Sequence, residues 1–286
     1  MDLLRRAVPL VPARSALREG GSMSAWMPAL RAVMARRILV NYRVRPEVLE
    51  RWVPRPFRVK VLRGWGLAGV CLIRLESVRP SWLPAWLGLA SENAAHRVAV
   101  EWDGEDGPHD GVFIPRRETG SILNHLAGGR LFPGASGAAD FQCRETPDRI
   151  GLEMRAGDGK ASLRVVVEPT EAWPEGSVLG SLDEASKFFR GGCRGWSPTR
   201  DGRGFEGTEL EPETWSMTPL KVVDLKSAYF EDVRRFPPGT VELDSAILMR
   251  GIAHTWRDLG RMPAARSARR PAPRGAHGPG ALFRFP

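Results

Sequence analysis

Hydrophobic and polar residues alternate with a period of two along much of the middle of the chain. The segment Arg58-Val59-Lys60-Val61-Leu62 alternates as a half-buried strand does, and residues 67–75 are nearly all apolar, as in a fully buried strand. Turn dipeptides such as Asp103-Gly104 and Asp158-Gly159 separate such runs. Further strands are predicted at 95–102, 111–114, 138–144, 150–155, 161–167 and within 215–230. Short strands joined by such turns predict a mostly β (α+β) fold, an antiparallel β-barrel with a few packed helices.

Three segments are bounded as helices usually are, by Pro, Gly or a capping residue: 46–53, 121–127 and 182–190. Pro46 suits the first turn of the first helix, and Pro54 ends it. Thr119 or Ser121 can cap the second helix. The third begins at a capping box, Ser181-Leu182-Asp183-Glu184, in which side chains bind the free N–H groups of the first turn. We therefore expect a few helices packed on a β-rich body.

The formal charge of +9 is carried by the two ends of the chain. Residues 1–35 have a net charge of +3 and residues 261–286 of +6, so basic and acidic residues balance over 36–260. The last segment is rich in Arg, Pro and Gly and has little to bury, which is typical of disorder. We predict a β-barrel domain over 36–260, a flexible basic extension over 1–35 and a disordered tail over 261–286. A neutral body does not favour nucleic acid as a partner.

The apolar runs and the cysteines of the sequence narrow the class of protein further. No apolar run approaches the roughly 20 residues needed to span a bilayer, and Arg5 and Arg6 are not followed by the sustained apolar stretch of a secretory signal. Cys71, Cys143 and Cys193 are odd in number and widely spaced, which argues against a disulfide framework or a zinc site. We expect a cytoplasmic protein with no membrane partner.

Three motifs resemble the acetoacetate decarboxylase superfamily, and the resemblance covers about residues 36–258. Residues 42–57, Tyr-Arg-Val-Arg-Pro-Glu-Val-Leu-Glu-Arg-Trp-Val-Pro-Arg-Pro-Phe, are similar to its N-terminal strand and helix. Ser91-Glu92-Asn93 resembles the place of an inward-facing glutamate, and Gly111-Val112-Phe113-Ile114-Pro115-Arg116-Arg117 resembles the segment that ends in Pro-Lys-Lys. The resemblance implies a barrel of the acetoacetate decarboxylase-like type. The downstream half is similar to an uncharacterised bacterial branch of the superfamily.

The resemblance also points to a change in chemistry, because the lysine pair of the decarboxylases is replaced here. In those enzymes one amine forms an imine with a keto acid, and its charged neighbour lowers the amine's pKa. This chain has Arg116 and Arg117 at the two positions. A guanidinium stays protonated and is a poor nucleophile, so neither residue can form that imine.

The same positions supply the candidate binding residues. Adjacent strand residues point to opposite sides, so only one of Arg116 and Arg117 can face a barrel interior, where it would bind a carboxylate in a bidentate manner. The resemblance makes Glu92 the partner that neutralises Arg116 or acts as a general acid or base. Glu118 belongs to the same cluster, and Arg36 or Arg37 falls close to an arginine that lines the decarboxylase pocket. The alternative is a solvated cluster of Arg and Glu at a strand end, between a strand and a helix.

Whether an imine could form elsewhere depends on the five lysines of the sequence: Lys60, Lys160, Lys187, Lys221 and Lys226. Lys221 and Lys226 lie five residues apart on a predicted strand and should face opposite sides, so one of them could point inward. An inward lysine in an apolar barrel could have the lowered pKa that amine catalysis needs.

The spacing of the histidines does not predict a metal site. His96 follows Glu92 by four residues, but a second nearby histidine and a His-Glu-x-x-His motif are both missing from the sequence. We interpret His96, His125 and His254 as structural residues and place His109 in a turn. The sequence predicts no metal and no cofactor.

These observations favour a protein that binds a small organic (keto) acid in its barrel through an arginine clamp, without Schiff-base chemistry. One alternative is a decarboxylase or lyase-type enzyme acting on a small β-keto acid, and another is a structural protein whose barrel is filled by its own side chains. A ligand-sized cavity near Arg116 would favour the first two. The superfamily often assembles, so the resemblance also leaves a homo-oligomer open.

Overall fold

The computed structural model describes residues 30–120, 134 and 136–264, and its strands form one sheet. The strands are β1 (Leu30–Val44), β2 (Arg58–Val59), β3 (Val61–Leu62), β4 (Trp65–Pro80), β5 (Leu89–Gly104), β6 (Gly107–Thr119), β7 (Ser136–Glu145), β8 (Ile150–Ala156), β9 (Ser162–Pro169), β10 (Arg194–Pro198), β11 (Gly204–Pro212), β12 (Thr218–Ser227) and β13 (Val241–Pro263). The helices are α1 (Pro46–Leu49), a 3-10 turn (Ala85–Leu87) and α2 (Leu182–Gly191). The described residues therefore form the mostly β structure that the sequence predicts.

Nine of the strands pair into a closed ring, in the order β6-β7-β8-β9-β12-β13-β1-β4-β5 and back to β6. Strands β10 and β11 form a second connection between β6 and β13. The pairings of β6 with β7 and with β10 are parallel, whereas the other described pairings are antiparallel. The described body is thus a ring of strands whose interior is shared by all nine of them.

Apolar residues are buried on both faces of this sheet. The larger cluster takes residues from every strand of the ring, including Ile38 and Val40 of β1, so it fills the ring interior. A second cluster lies outside the ring, where Leu39 of β1 and Cys71 of β4 pack with Phe189 of α2. Burial on both faces explains why residues 67–75 are nearly all apolar instead of alternating.

The ends of the helices and strands agree with the sequence at some places and differ at others. The capping box at α2 is confirmed, because the Glu184 N–H donates to the Ser181 hydroxyl at 3.2 Å and the Ser181 N–H donates to the Glu184 carboxylate at 3.0 Å. The first helix is shorter than predicted and ends at Leu49, with turns up to Pro54. The predicted helix over 121–127 lies outside the described residues.

The sequence did not predict three strands, β10, β11 and β13, and it indicated β1 only through the resemblance of residues 42–57 to an N-terminal strand and helix. In β13, Gly251 and Gly260 have φ values of 63° and 75°, which interrupt the regular alternation that identifies a strand in a sequence. Strand β1 begins at Leu30, upstream of the predicted boundary at residue 36, and β13 ends at Pro263. Within the described ranges, no helix combines the length and the apolar character that crossing a membrane requires.

Candidate ligand-binding site

Five ionisable residues project into the ring interior from β1, β5 and β6, which lie within four consecutive strands of the ring, and we call them the inner polar cluster: Arg36, Glu92, His96, Arg116 and Glu118. Their placement follows from strand register. In the pairing of β5 with β6, His96 lies opposite Arg116 and Ala94 lies opposite Glu118, so these side chains share one face with the buried Ala94. Strands β1, β4 and β5 likewise place Arg36, Arg74 and Glu92 side by side.

Arg36 is the most strongly paired member of the cluster. Only 2% of its surface is exposed, and it donates to Glu92 at 2.7 Å, to Glu145 at 2.9 Å and to the Cys143 sulfur at 3.0 Å. Burial alone would lower the pKa of Arg36, but the neighbouring carboxylates Glu92 and Glu145 outweigh it and raise that pKa above its usual value. Arg74 adds a contact to Glu92 at 3.4 Å. Arg36 is therefore a fixed cation at any physiological pH.

Arg116 binds two carboxylates of very different exposure. Its Nε donates to the fully buried Glu118, while its two terminal nitrogens donate to the Asp158 oxygens at 2.6 and 2.9 Å. Asp158 lies in a turn with 46% of its side chain exposed. The hydrogen bonds to Asp158 raise the pKa of Arg116 and lower that of Asp158. One partner of Arg116 is thus buried permanently, and the other can exchange with solvent.

Glu118 and His96 lie side by side as a buried acid and base, and several of their polar atoms have no hydrogen-bond partner among the described residues. The Glu118 Oε2 atom is 3.5 Å from His96 Nδ1, too distant for a good hydrogen bond. In the described part of the chain, neither this oxygen nor either ring nitrogen of His96 has a hydrogen-bond partner. The imidazole packs against Tyr229 with ring centroids 4.1 Å apart. Because buried polar atoms are nearly always satisfied, these three atoms mark a place where a polar ligand or water would supply the missing hydrogen-bond partners.

An aromatic cluster occupies the other end of the ring interior. Phe57 contacts Trp102, Phe113, Trp196 and Phe205, with ring centroids 5.0 to 6.3 Å apart. These rings lie toward the Trp102 end of β5, while Glu92 and His96 lie toward the other end of that strand. The interior is therefore divided into a filled apolar end and a polar end.

Several predicted site residues lie elsewhere than expected. The predicted pairing of Glu92 with Arg116 is wrong, because Glu92 binds Arg36 and Arg74 instead. Arg116, Arg117 and Glu118 lie inside β6, not between a strand and a helix, since β6 stays paired with β5 to Thr119. Arg117 points to the opposite face, where its Nε donates to Ser197 at 3.1 Å.

Arg37 also faces away from the ring interior. Its Nε donates to the Cys71 sulfur at 3.4 Å, in the layer outside the ring. Of the two arginines proposed for the rim, Arg36 therefore joins the cluster and Arg37 does not. The reason is the alternation of side chains along β1.

The prediction that Lys221 and Lys226 face opposite sides is wrong. Both are exposed, because the pairing of β12 with β9 shifts between Val222 and Asp224. The additional residue, Val223, forms a bulge that returns Lys226 to the face of Lys221. Lys160 and Lys187 are exposed as well, and Lys60 lies outside the ring beside Asp110. None of the five lysines is described in contact with the inner polar cluster.

Sequence reasoning missed three members of this region: His96 as a site residue, Asp158 and Glu145. His96 had a usable signal, since residues four apart on one strand share a face with each other and hence with Glu92. Asp158 and Glu145 had none, because they come from distant strands brought in by ring closure. Within the described residues, no group of three His, Cys, Asp or Glu side chains is placed to hold a metal ion.

Known structures resemble the chain in fold at low sequence identity. Acetoacetate decarboxylase from Legionella pneumophila is 13% identical with a TM-score of 0.53, covering 86% of this chain and 98% of its own. An acetoacetate decarboxylase-like enzyme from Sphingomonas wittichii RW1 is 14% identical with a TM-score of 0.51, covering 83% and 93%. The enduracididine biosynthesis enzyme MppR, complexed with pyruvate, is 14% identical with a TM-score of 0.51, covering 86% and 93%.

These similarities show that the chain has the acetoacetate decarboxylase-like fold, as the sequence motifs suggest. No curated protein matches the chain. The model of the DUF2071 family, described as an uncharacterized conserved protein, matches residues 31–240. Because this match covers well over half of the sequence, the chain belongs to the DUF2071 family.

Proposed function

We propose that the protein binds a small organic acid, with a keto group near its carboxylate, at the polar end of the ring interior. The observation that carries this proposal is the buried Glu118–His96 pair beside Arg116, whose Oε2 and ring nitrogens have no partner in the described residues. An anionic ligand with a second polar group would supply both a charge for Arg116 and a partner for His96.

Arg116 is suited to bind the ligand carboxylate because its pair with Asp158 is replaceable. The two terminal nitrogens of Arg116 are directed at the two Asp158 oxygens, which is the bidentate geometry that any carboxylate can adopt. Ion pairs of exposed carboxylates contribute little stability, so Asp158 can be released at low cost. Glu118 would remain on Nε and keep the guanidinium oriented.

The keto group of such a ligand would meet His96 and Glu118 and not an amine. The positions that resemble the decarboxylase lysine pair are Arg116 and Arg117 here, and the exposed Lys221 and Lys226 are outside the ring. Binding would thus be non-covalent. The MppR structure was determined with pyruvate, and pyruvate is a small keto acid of the class proposed here.

The second candidate is an enzyme of the decarboxylase or lyase type, and the buried His96–Glu118 pair favours it. Loss of CO₂ from a β-keto acid breaks one C–C bond and leaves its electron pair on an enolate. Arg116 would stabilise that enolate, and protonated His96 would give its proton to the carbon, to be recharged from water. The third possibility, an interior filled by side chains, applies to the aromatic end and not to the unsatisfied polar atoms at the other end.

Calorimetric titration with 2-oxo and 3-oxo acids tests the proposal directly. We expect Arg116→Gln to weaken binding about tenfold to a hundredfold, since a charge-assisted bidentate contact is lost. Asp158→Asn removes the internal competitor and should tighten binding by up to about fivefold. The matched control is Arg155→Gln, whose side chain is 77% exposed on β8 and should leave affinity unchanged.

Two results would contradict the proposal. One is equal affinity of Arg116→Gln and the unmodified protein for every acid that binds. The other is a borohydride-trapped adduct on a lysine, which would mean that an amine still carries the chemistry. Release of CO₂ that depends on His96 would select the enzyme over the binding protein.

A further inference from the structure

A second set of cations lies on the opposite face of the sheet, outside the ring and under α2. Arg97 of β5 is 7% exposed and packs over the Phe189 ring at 5.1 Å. A cavity of about 30 Å³ opens beside it. Its lining includes Arg37, Lys60, Arg97, Asp110, Phe188 and Phe189. We call Arg37 and Arg97 the outer arginine pair.

The charges around this cavity do not balance. Lys60 is neutralised by its ion pair with Asp110. Arg97 donates to the Asn41 amide oxygen at 2.5 Å, and its Nε has no partner among the described residues. The described hydrogen bonds of the Arg37 side chain go to sulfur atoms, those of Cys71 at 3.4 Å and Met249 at 3.8 Å. In residues 30–120, 134 and 136–264, no carboxylate pairs with either guanidinium.

Such an arrangement is costly without an anion. A buried charge needs a partner of opposite sign, and sulfur and amide acceptors are neutral. Burial and, to a smaller extent, the neighbouring charge of Arg37 lower the pKa of Arg97 to about 10. Arg97 is still a cation at neutral pH, so the two guanidiniums repel each other across a low-dielectric space.

We propose that this cavity is a binding site for a compact monovalent anion of the chloride class, held between Arg37 and Arg97 beneath α2. The unpartnered Nε of Arg97 and the terminal nitrogens of Arg37 supply the donors. The cavity of about 30 Å³ exceeds the roughly 10–15 Å³ that a single water molecule needs. A space of this size favours a compact anion such as chloride or bromide over the larger sulfate or phosphate. This site is separate from the inner polar cluster and does not depend on its function.

The anion would also stabilise the packing of α2. Phe188 and Phe189 cover the cavity, and each ring lies over one of the cations, Lys60 at 5.2 Å and Arg97 at 5.1 Å. Neutralising the outer arginine pair removes the repulsion beneath the helix. Occupancy should therefore raise the stability of the whole domain by mass action.

The test is thermal unfolding of the full chain at constant ionic strength, with chloride exchanged for gluconate. A roughly hundredfold rise in chloride across the dissociation constant should raise the unfolding midpoint by about 5 °C. Bromide should act like chloride, and sulfate should not. Arg97→Gln and Arg37→Gln should each lose most of this shift, whereas the control Arg155→Gln should keep it.

Direct binding keeps the proposal testable if either variant fails to fold. Chloride NMR lines should broaden with the unmodified protein and sharpen again when bromide competes for the site. A chloride effect that is equal in Arg97→Gln and in the unmodified protein would overturn the proposal. So would a midpoint that responds to sulfate as it does to chloride, or an unmodified protein that leaves the chloride line width unchanged.

Discussion

Arg36 and Arg37 are neighbours in β1, yet they lie in opposite electrostatic environments. Arg36 faces the ring interior and is surrounded by Glu92, Glu145 and the sulfur of Cys143. Arg37 faces the layer beneath α2, is half-buried, and among the described residues donates to the sulfur atoms of Cys71 and Met249. Both faces of the sheet carry apolar clusters. The two arginines therefore differ in burial and, within the described residues, in whether a carboxylate pairs with them.

Strand β5, which β4 separates from β1 in the ring, repeats this contrast. Glu92 and His96 belong to the inner face, and Arg97, the next residue, belongs to the outer face. A single strand thus brings an acid to one side of the sheet and an unpaired base to the other. The inner face pairs its cations with carboxylates of the chain, whereas on the outer face no carboxylate of the described residues pairs with Arg37 or Arg97.

The largest expected change in the free energy of unfolding is that of Arg36→Met, which tests the inner face, where carboxylates pair with the cation. Removing this guanidinium leaves Glu92 and Glu145 without their main partner, with 15% and 29% of their side chains exposed. We expect a loss of about 3 kcal/mol in the free energy of unfolding. Urea unfolding measures it, with Arg155→Met as the exposed control.

The double variant Arg36→Met/Glu92→Gln separates charge from shape. Since Glu92→Gln removes one uncompensated carboxylate, part of the lost stability should return. If the double variant were as unstable as the sum of the single variants, Arg36 would act through packing and the contrast between the faces would not be electrostatic.

The next largest effect is the pH dependence of stability that comes from His254. Burial lowers the pKa of His254 to about 4, and the charge of Arg37 acts in the same direction. The unfolded chain therefore binds a proton near pH 6.5, while the folded protein resists it until about pH 4. Stability should fall as pH decreases through this window, by about 2 kcal/mol at pH 5 from this residue alone.

His254→Phe checks the assignment, because it cannot titrate. The difference in unfolding free energy between this variant and the unmodified protein should change steadily from pH 7 to pH 4 and then level off. A difference that stays constant over this range would mean that His254 is accessible to protons when folded, and that the field of Arg37 is screened.

Much of this arrangement could be predicted from local pattern and resemblance. Alternation along a strand places only one of Arg116 and Arg117 in the interior, and the motif around Glu92 identifies a strand that contributes to the site. The capping box at Ser181 fixes the start of α2 because both of its hydrogen bonds are local. These features depend on residues close together in the sequence.

The rest could not be predicted, because it depends on how the ring closes. Asp158 and Glu145 reach Arg116 and Arg36 across 42 and 109 residues, respectively. The bulge at Val223 cannot be inferred from alternation, and it reverses the expected side of Lys226. Arg97 sits in an apolar segment, where a lone charge gives no sign of its partner. Register between distant strands, and not propensity, decides these contacts.

The smallest change in the free energy of unfolding is expected for Arg97→Met. Its comparison with Arg36→Met tests whether Arg97 has an anionic partner. Replacing an unpaired buried cation by an apolar side chain removes repulsion with Arg37 and keeps the packing on Phe189. The loss of the Asn41 hydrogen bond opposes this gain. In gluconate buffer we therefore expect the free energy of unfolding to stay within about 1 kcal/mol of the unmodified protein. Urea unfolding in gluconate and in chloride, run beside Arg36→Met, measures both sides. A loss in gluconate as large as that of Arg36→Met would mean that Arg97 already has an anionic partner in the chain, because only a broken ion pair costs that much.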